Sequence, residues 1–200
     1  MKVKLNKVRI AFAQQLTEAK PFEPGAAPAF GSTFLVPDNS ALRKEIEKAM
    51  HTLGTEKWGA KGKGIVDNLL EVGDPKGCCY YPGKRKSYDG FEGNMALVAK
   101  RYEKDGMPVL LDADKSPLWD AAKGKAMPGK EGRIYSGCYV NATVDLWAQD
   151  NKYGKTIRCT LLGVQFADDG DSFGGTTKGS EDDFDDLGEG ASSEDEDALA

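Results

Sequence analysis

Apolar and polar positions alternate along most of the first 167 residues, with a period of two rather than 3.6. The N-terminal stretch MKVKLNKVRIAF puts Val3 and Leu5 on one parity and Val8, Ile10 and Phe12 on the other. A bulge near Asn6 would carry a strand across that switch. FGSTFLVP (30–37) reads as a second short strand, ended by Pro37. Asp38, Asn39 and Ser40 then offer N-caps for a helix whose Leu42, Ile46, Ala49, Met50 and Leu53 share one face before Gly54. NMALVAKRY (94–102) and MPVLLD (107–112) are strand-like and are separated by the turn EKDG. The clearest alternation lies in RIYSGCYVNATVDLWAQD (133–150). There Ile134, Cys138, Val140, Ala142, Val144 and Leu146 share one face, and Tyr135, Tyr139, Asn141, Thr143, Asp145 and Trp147 the other. The turn DNKYG leads back into KTIRCTLLGVQF (155–166), an expected antiparallel partner.

Two stretches lack this pattern. Residues 55–93 are rich in Gly, Lys and Tyr and have the composition of mobile loops, and 116–132 reads as a long connection with one helical turn after Pro117. Strands dominate and βαβ alternation is scarce. The expected class is all-β or β-rich, most simply a small barrel with long loops and one inserted helix.

Charge divides the chain in two. Of its 27 Lys+Arg and 32 Asp+Glu residues, the segment 168–200 holds 13 of the acids and a single base, Lys178. The overall charge of −5 therefore averages a basic body, 1–167, with an acidic tail. The tail's large apolar residues are Phe173, Phe184, Leu187 and Leu199, too few to offset the entropy of ordering it, so disorder is expected there. A basic body points towards a nucleic-acid or membrane partner, although a solvated surface with a solubilising tail has the same charges.

Several chemistries find little support. Cys78, Cys79, Cys138 and Cys159 match no zinc spacing, and reduced thiols in a cytoplasmic setting are expected. His51 is the one histidine, with no Ser or Cys motif to pair with. Gly154-Lys155-Thr156 ends like a phosphate loop, but Gln149 stands where that loop needs a glycine. No secretory leader and no apolar span are apparent. Asp112 and Asp114 beside a strand end could hold Mg²⁺ in a nuclease, although a D-x-D pair is common by chance. Neither a cofactor, a metal nor a catalytic residue is expected.

One constellation stands out. KGCCYYPGKRKSYDGFEG sets Lys76, Lys84, Arg85 and Lys86 among Tyr80, Tyr81, Tyr88 and Phe91, and AKRYEK adds Lys100, Arg101 and Tyr102. Cations track phosphates while flat rings stack on unpaired bases, a combination suited to single strands rather than a duplex. Tyr135 and Tyr139 form a second candidate platform. The same rings also serve cores and cross-strand packing.

The ordered set KPFEPGAAPAFGSTFLVPDN, YSGCYVNATVDLWAQDN and YGKTIRCTLLGVQFADDGDSFGG resembles a family of tailed-phage single-stranded-DNA-binding proteins, over roughly residues 8–174. The most specific parts are Ser136-Gly137-Cys138-x-Val140-Asn141-Ala142 and Leu162-Gly163-Val164-Gln165. The resemblance implies an OB-fold in 1–167, similar to the single-strand binders of T7-like phages. It also implies a role in replication or recombination in the host cytoplasm, and an acidic tail as a recurring feature. Individual DNA contacts do not carry over by motif. In the tail, Asp182, Asp183, Phe184, Asp185, Asp186 and Leu187 are expected to compete with DNA and to dock replication proteins. Two other readings remain open: a metal-dependent nuclease, and an interaction protein acting through its tail. Homodimer formation is also open.

Overall fold

Strand β1 (Lys2–Ala11) organises the sheet, pairing antiparallel with β2 (Ala29–Pro37) on one side and β8 (Tyr139–Asn151) on the other. The computed structural model describes residues 1–22, 24–152 and 154–174. The remaining strands are β3 (Tyr80–Pro82), β4 (Asn94–Tyr102), β5 (Val109–Leu111), β6 (Trp119–Asp120), β7 (Lys125–Ala126) and β9 (Gly154–Asp168). The large sheet runs β3-β4-β2-β1-β8-β9-β5, and a parallel contact between Lys100 of β4 and Thr160 of β9 closes it on itself. Strands β1, β2, β4, β9 and β8 thus make a five-stranded barrel of OB type, the expected class.

The parity switch in β1 is a bulge. Pairing with β8 shifts register between Leu5 and Val8, and Lys7 sits at φ 48° with its N–H donating to Asn141 Oδ1 at 2.9 Å. Leu5, Val8 and Ile10 therefore all reach the core, as one continuous parity could not. They meet Phe34 and Val36 of β2, Leu97 and Ala99 of β4, and Val140, Val144 and Leu146 of β8. The expected strand 133–150 begins late, at Tyr139, because residues 133–138 make turns before pairing starts. The connection 116–132 holds the small hairpin β6–β7 in place of the expected helical turn.

The inserted helix is a helical hairpin. Helix α1 (Ala41–Trp58) starts where expected, with Ser40 Oγ accepting from Arg43 N–H at 3.1 Å. Helix α2 (Gly62–Val72) occupies part of the stretch read as loop. Glycine hid it: Gly54 of α1 and Gly62 of α2 are needed because the two backbones touch there, and a Cβ on Gly62 would lie 2.1 Å from Gly54 O. Glycine usually signals a break, but here it signals close approach.

His51 links the two helices, with Nδ1–H donating to Glu47 O at 2.8 Å and Nε2 lying 2.7 Å from Asp67 Oδ1. Burial lowers its pKa, but the bonds to Asp67 and Glu47 outweigh that and raise it above its ordinary 6.5. A raised folded-state value means the charged pair stabilises the fold below pH 6.5. That contribution disappears as pH climbs through the raised value. Melting temperatures between pH 5.5 and 8 should show this step in the wild type and lose it in His51→Gln. An identical pH profile in both would rule it out.

All four cysteines are free and buried. Thiol–thiol hydrogen bonding (Cys78 with Cys79, Cys79 with Cys159), followed by burial, holds Cys78 and Cys79 well above the ordinary thiol pKa, so they pack as neutral side chains. Among the described residues, no helix is long and apolar enough to cross a membrane.

Candidate nucleic-acid interface

The barrel's outward parity on β1, β2 and β4 forms one face, whose middle is covered by rings and whose two ends reach solvent. Direct pairing places Arg9 opposite Leu35, Ala11 opposite Thr33, Leu35 opposite Ala96, Thr33 opposite Val98 and Gly31 opposite Lys100. Most of these side chains are small, and cations and rings flank them at both ends.

At one end, Tyr81 and Phe91 lie over Ala11, Leu35 and Ala96 in a second small core, with Phe12, Val98 and Phe173 against it. Phe12 leaves β1 in the left-handed region, φ 61°, and meets Tyr88 edge-to-face at 5.4 Å. Tyr88 also meets Phe91 at 5.3 Å and is 51% exposed. Two rings thus brace Tyr88 from below while its outer surface stays open. Beside it, the Arg9 guanidinium lies 4.2 Å from the Phe173 ring centroid and 5.8 Å from that of Tyr139. Lys7 Nζ is also 5.8 Å from Tyr139. Lys7 pairs with Asp168 at 2.9 Å, and that hydrogen bond raises the lysine pKa and lowers the aspartate's.

At the other end, the loop between β1 and β2 brings Phe22 over Gly31. A Cβ on Gly31 would come 2.7 Å from the Phe22 ring, so glycine makes room for it. Lys100 Nζ stands 3.7 Å from the Phe22 centroid. Tyr102, two residues on along β4, is 52% exposed, with Lys104 Nζ 5.9 Å from its ring. Each end therefore pairs positive charge with a ring.

The residues expected from sequence divide by burial. Lys76, Lys84, Lys86, Lys100, Tyr88 and Tyr102 are exposed, and Tyr139 is half-buried under Lys7 and Arg9. Tyr80, Tyr81 and Phe91 differ from the expectation of solvent-facing rings: all three are buried. Strand β3 inserts beside β4, turning Tyr80 into the main core and Tyr81 into the second one. Burial raises the pKa of both phenols. Arg85 and Arg101 are held by the fold's own carbonyls. Arg85 donates to Val72 O at the end of α2, and Arg101 donates to Gly106 O at 2.7 Å and Asp105 O at 2.6 Å. Tyr135 donates its hydroxyl to Gly170 O at 2.9 Å. Asp182, Asp183, Phe184, Asp185, Asp186 and Leu187 lie outside the described residues.

Sequence reading passed over Lys7, Arg9, Phe12 and Phe22. The outward alternation of Lys7 and Arg9 on β1 carried a signal for the first two. Nothing local marked Phe12 or Phe22, whose rings reach the face only through loop geometry.

Asp112 and Asp114, the pair weighed as an alternative Mg²⁺ site, are otherwise engaged. Asp112 meets Lys130 Nζ at 3.1 Å and Arg133 Nε at 3.2 Å, one on each carboxylate oxygen. The Ala113 N–H, then Lys130 and Arg133, bring its pKa down to about 2. Ser116 holds Asp114 and lowers its pKa too. Among the described residues, no three His, Cys, Asp or Glu side chains cluster as metal ligands.

A family profile described as "Enterobacter phage Enc34, ssDNA-binding protein" matches residues 1–199. Protein p50 of Acyrthosiphon pisum secondary endosymbiont phage 1 is 38% identical over 202 residues, covering 100% of both chains. Among solved structures, the fold is similar to the single-stranded DNA-binding protein from bacteriophage Enc34, in complex with ssDNA. That match has a TM-score of 0.66 at 24% identity, over 86% of this chain and 89% of that one. The single-stranded DNA binding protein encoded by bacteriophage T7 matches at a TM-score of 0.52 and 15% identity, over 96% of this chain and 99% of that one.

Proposed function

The chain belongs to the Enc34 phage ssDNA-binding protein family, and from that premise we propose that it coats single-stranded DNA non-enzymatically along the outer face of β1, β2 and β4. The observation that carries the reading is the pairing of cation and ring at both ends of that face: Arg9 and Lys7 around Tyr139, and Lys100 over Phe22. Lys84, Lys86 and Lys76 would extend the phosphate track beyond it. Tyr88 and Tyr102, each half-exposed, would stack on separate bases at the two ends of the face.

Such a site has little sequence preference, because every base has a π-face. By binding only open strands, the protein would melt hairpins by mass action and protect template during replication or recombination in the host cytoplasm. The acidic segment 175–200 would compete with DNA for the basic face at high effective concentration. Once displaced, it would recruit replication proteins, with Phe184 and Leu187 as small anchors among the acids.

Titration with oligo-dT, followed by tyrosine and tryptophan quenching, tests the reading. Affinity should fall with log salt at a slope of about −0.7 per phosphate contacted. A chain ending at residue 174 should bind more tightly than the full chain, with the difference largest at low salt. Quenching absent from both chains would refute single-strand binding. Equal affinities would refute the competing tail alone. Shortening of a labelled strand in Mg²⁺ would refute the non-enzymatic reading.

A further inference from the structure

From the last residue of β9, residues 168–174 run as a strap past Lys7 and Arg9 at one end of that face. Asp168 pairs with Lys7 at 2.9 Å. The Gly170 N–H donates to Tyr135 Oη at 3.1 Å, and Arg9 donates to Asp171 O. Phe173 N–H donates to Ser136 O at 2.9 Å, and Gly174 N–H to Asp89 Oδ2 at 3.0 Å. Two glycines make room for the strap. A Cβ on Gly137 would lie 2.0 Å from Asp171 O, and one on Gly90 would lie 2.4 Å from the Phe173 ring.

The strap has an unusual composition for a structural tie. Its charged members are acids, it lies on a basic face, and its one ring stacks on a guanidinium at 4.2 Å. An aromatic ring against Arg9, led in by three carboxylates, has the chemistry of a nucleotide: a flat π-system attached to a negatively charged chain. The bonds from Arg9 to Asp171 O, from Tyr135 to Asp169 and from Gly174 to Asp89 are exposed, so water can replace them when the strap lifts, and Phe173 then gives up its packing against the second small core.

We propose that Arg9 is a base-stacking subsite of the DNA path, filled in the free protein by Phe173 and taken over by a nucleobase when DNA binds. This rests on the single-strand reading above and adds an exchange to it: the strap must lift for the subsite to open. Because the strap ends beside Tyr88 and Asp89, its release also moves the point from which residues 175–200 depart. A strap closed in about 70–90% of free molecules lowers apparent affinity about three- to tenfold, since only the open fraction binds.

Hydrogen exchange on the full-length wild-type chain tests this directly. With saturating oligo-dT, the amides of Gly170, Phe173 and Gly174 should exchange faster, while Val98, whose N–H donates to Cys79 O at 2.8 Å inside the sheet, should stay protected. Phe173→Ala in the full chain should bind oligo-dT about three- to tenfold more tightly, as its placeholder is gone. Unchanged or slower exchange at 170–174 under saturation would overturn the proposal, as would unchanged or weaker binding by Phe173→Ala. In both cases the wild type still binds, so the single-strand reading survives. A wild type that ignores oligo-dT altogether refutes that reading instead.

Discussion

Alanine at Tyr88 is expected to weaken oligo-dT binding by about 1–3 kcal/mol, roughly five- to 150-fold. The ring is half-exposed and braced edge-to-face by Phe12 at 5.4 Å and Phe91 at 5.3 Å. It is therefore already oriented before a base arrives, and stacking costs little ordering entropy. Tyr88→Phe keeps the face and should bind within about twofold of wild type, as stacking uses the ring rather than the hydroxyl. Tyr88→Phe should leave the melting temperature unchanged, whereas Tyr88→Ala also loses two edge-to-face contacts worth about 0.5–1.5 kcal/mol each and should melt lower, so affinities are compared well below the transition. Wild-type affinity in Tyr88→Ala would remove this ring from the DNA path and shift the weight of the site to Phe22, Lys100 and Tyr102.

The second large effect concerns the helical hairpin. Gly62→Ala should destabilise the protein by about 1–3 kcal/mol or more. A methyl there would sit 2.1 Å from Gly54 O, 2.3 Å from Gly54 C and 2.6 Å from Thr55 N, all backbone atoms that no rotamer change can move. Separating the helices would also strain the His51–Asp67 contact at 2.7 Å that bridges them. Gly64→Ala serves as the internal control. Gly64 lies in the same helix with nothing near its missing Cβ, so the usual helix preference should hold and stabilise by about 0.5–1 kcal/mol. At about 2–4 °C per kcal/mol for a chain of this size, calorimetry should see the two melting temperatures move in opposite directions. A Gly62→Ala protein as stable as wild type would show that the helices do not touch there.

The strand pattern carried the fold well where one face was buried and the other wet. The bulge in β1 was legible as a parity switch at Asn6, and the core face of β8 as the run Val140, Ala142, Val144 and Leu146. The start of α1 was legible because a cap is a local device: Ser40 needs only Arg43 N–H three residues on. Helix α2 was not, because the reason for Gly62 lies in another helix.

The site was legible as a composition and not as a set of positions. A basic body, an acidic tail and rings among lysines pointed to single-stranded nucleic acid. Which rings face outward was a tertiary decision. KGCCYYPGKRKSYDGFEG contains four rings of similar local context, yet Tyr80, Tyr81 and Phe91 fill cores while Tyr88 stays exposed. Arg85 and Arg101, each beside a lysine in the sequence and not set apart by its neighbours, are taken up by backbone carbonyls at Val72, Asp105 and Gly106. Phe12 and Phe22 reach opposite ends of the face from the one connection between β1 and β2, and Phe173 reaches it from beyond β9. By itself, then, the sequence determined the β-rich class, the strand faces, the first helix and the charge division, all of which depend on neighbours within a few residues. Only the closed barrel decided which aromatics and cations share one surface, because that depends on which strands meet and on what the loops between them cover.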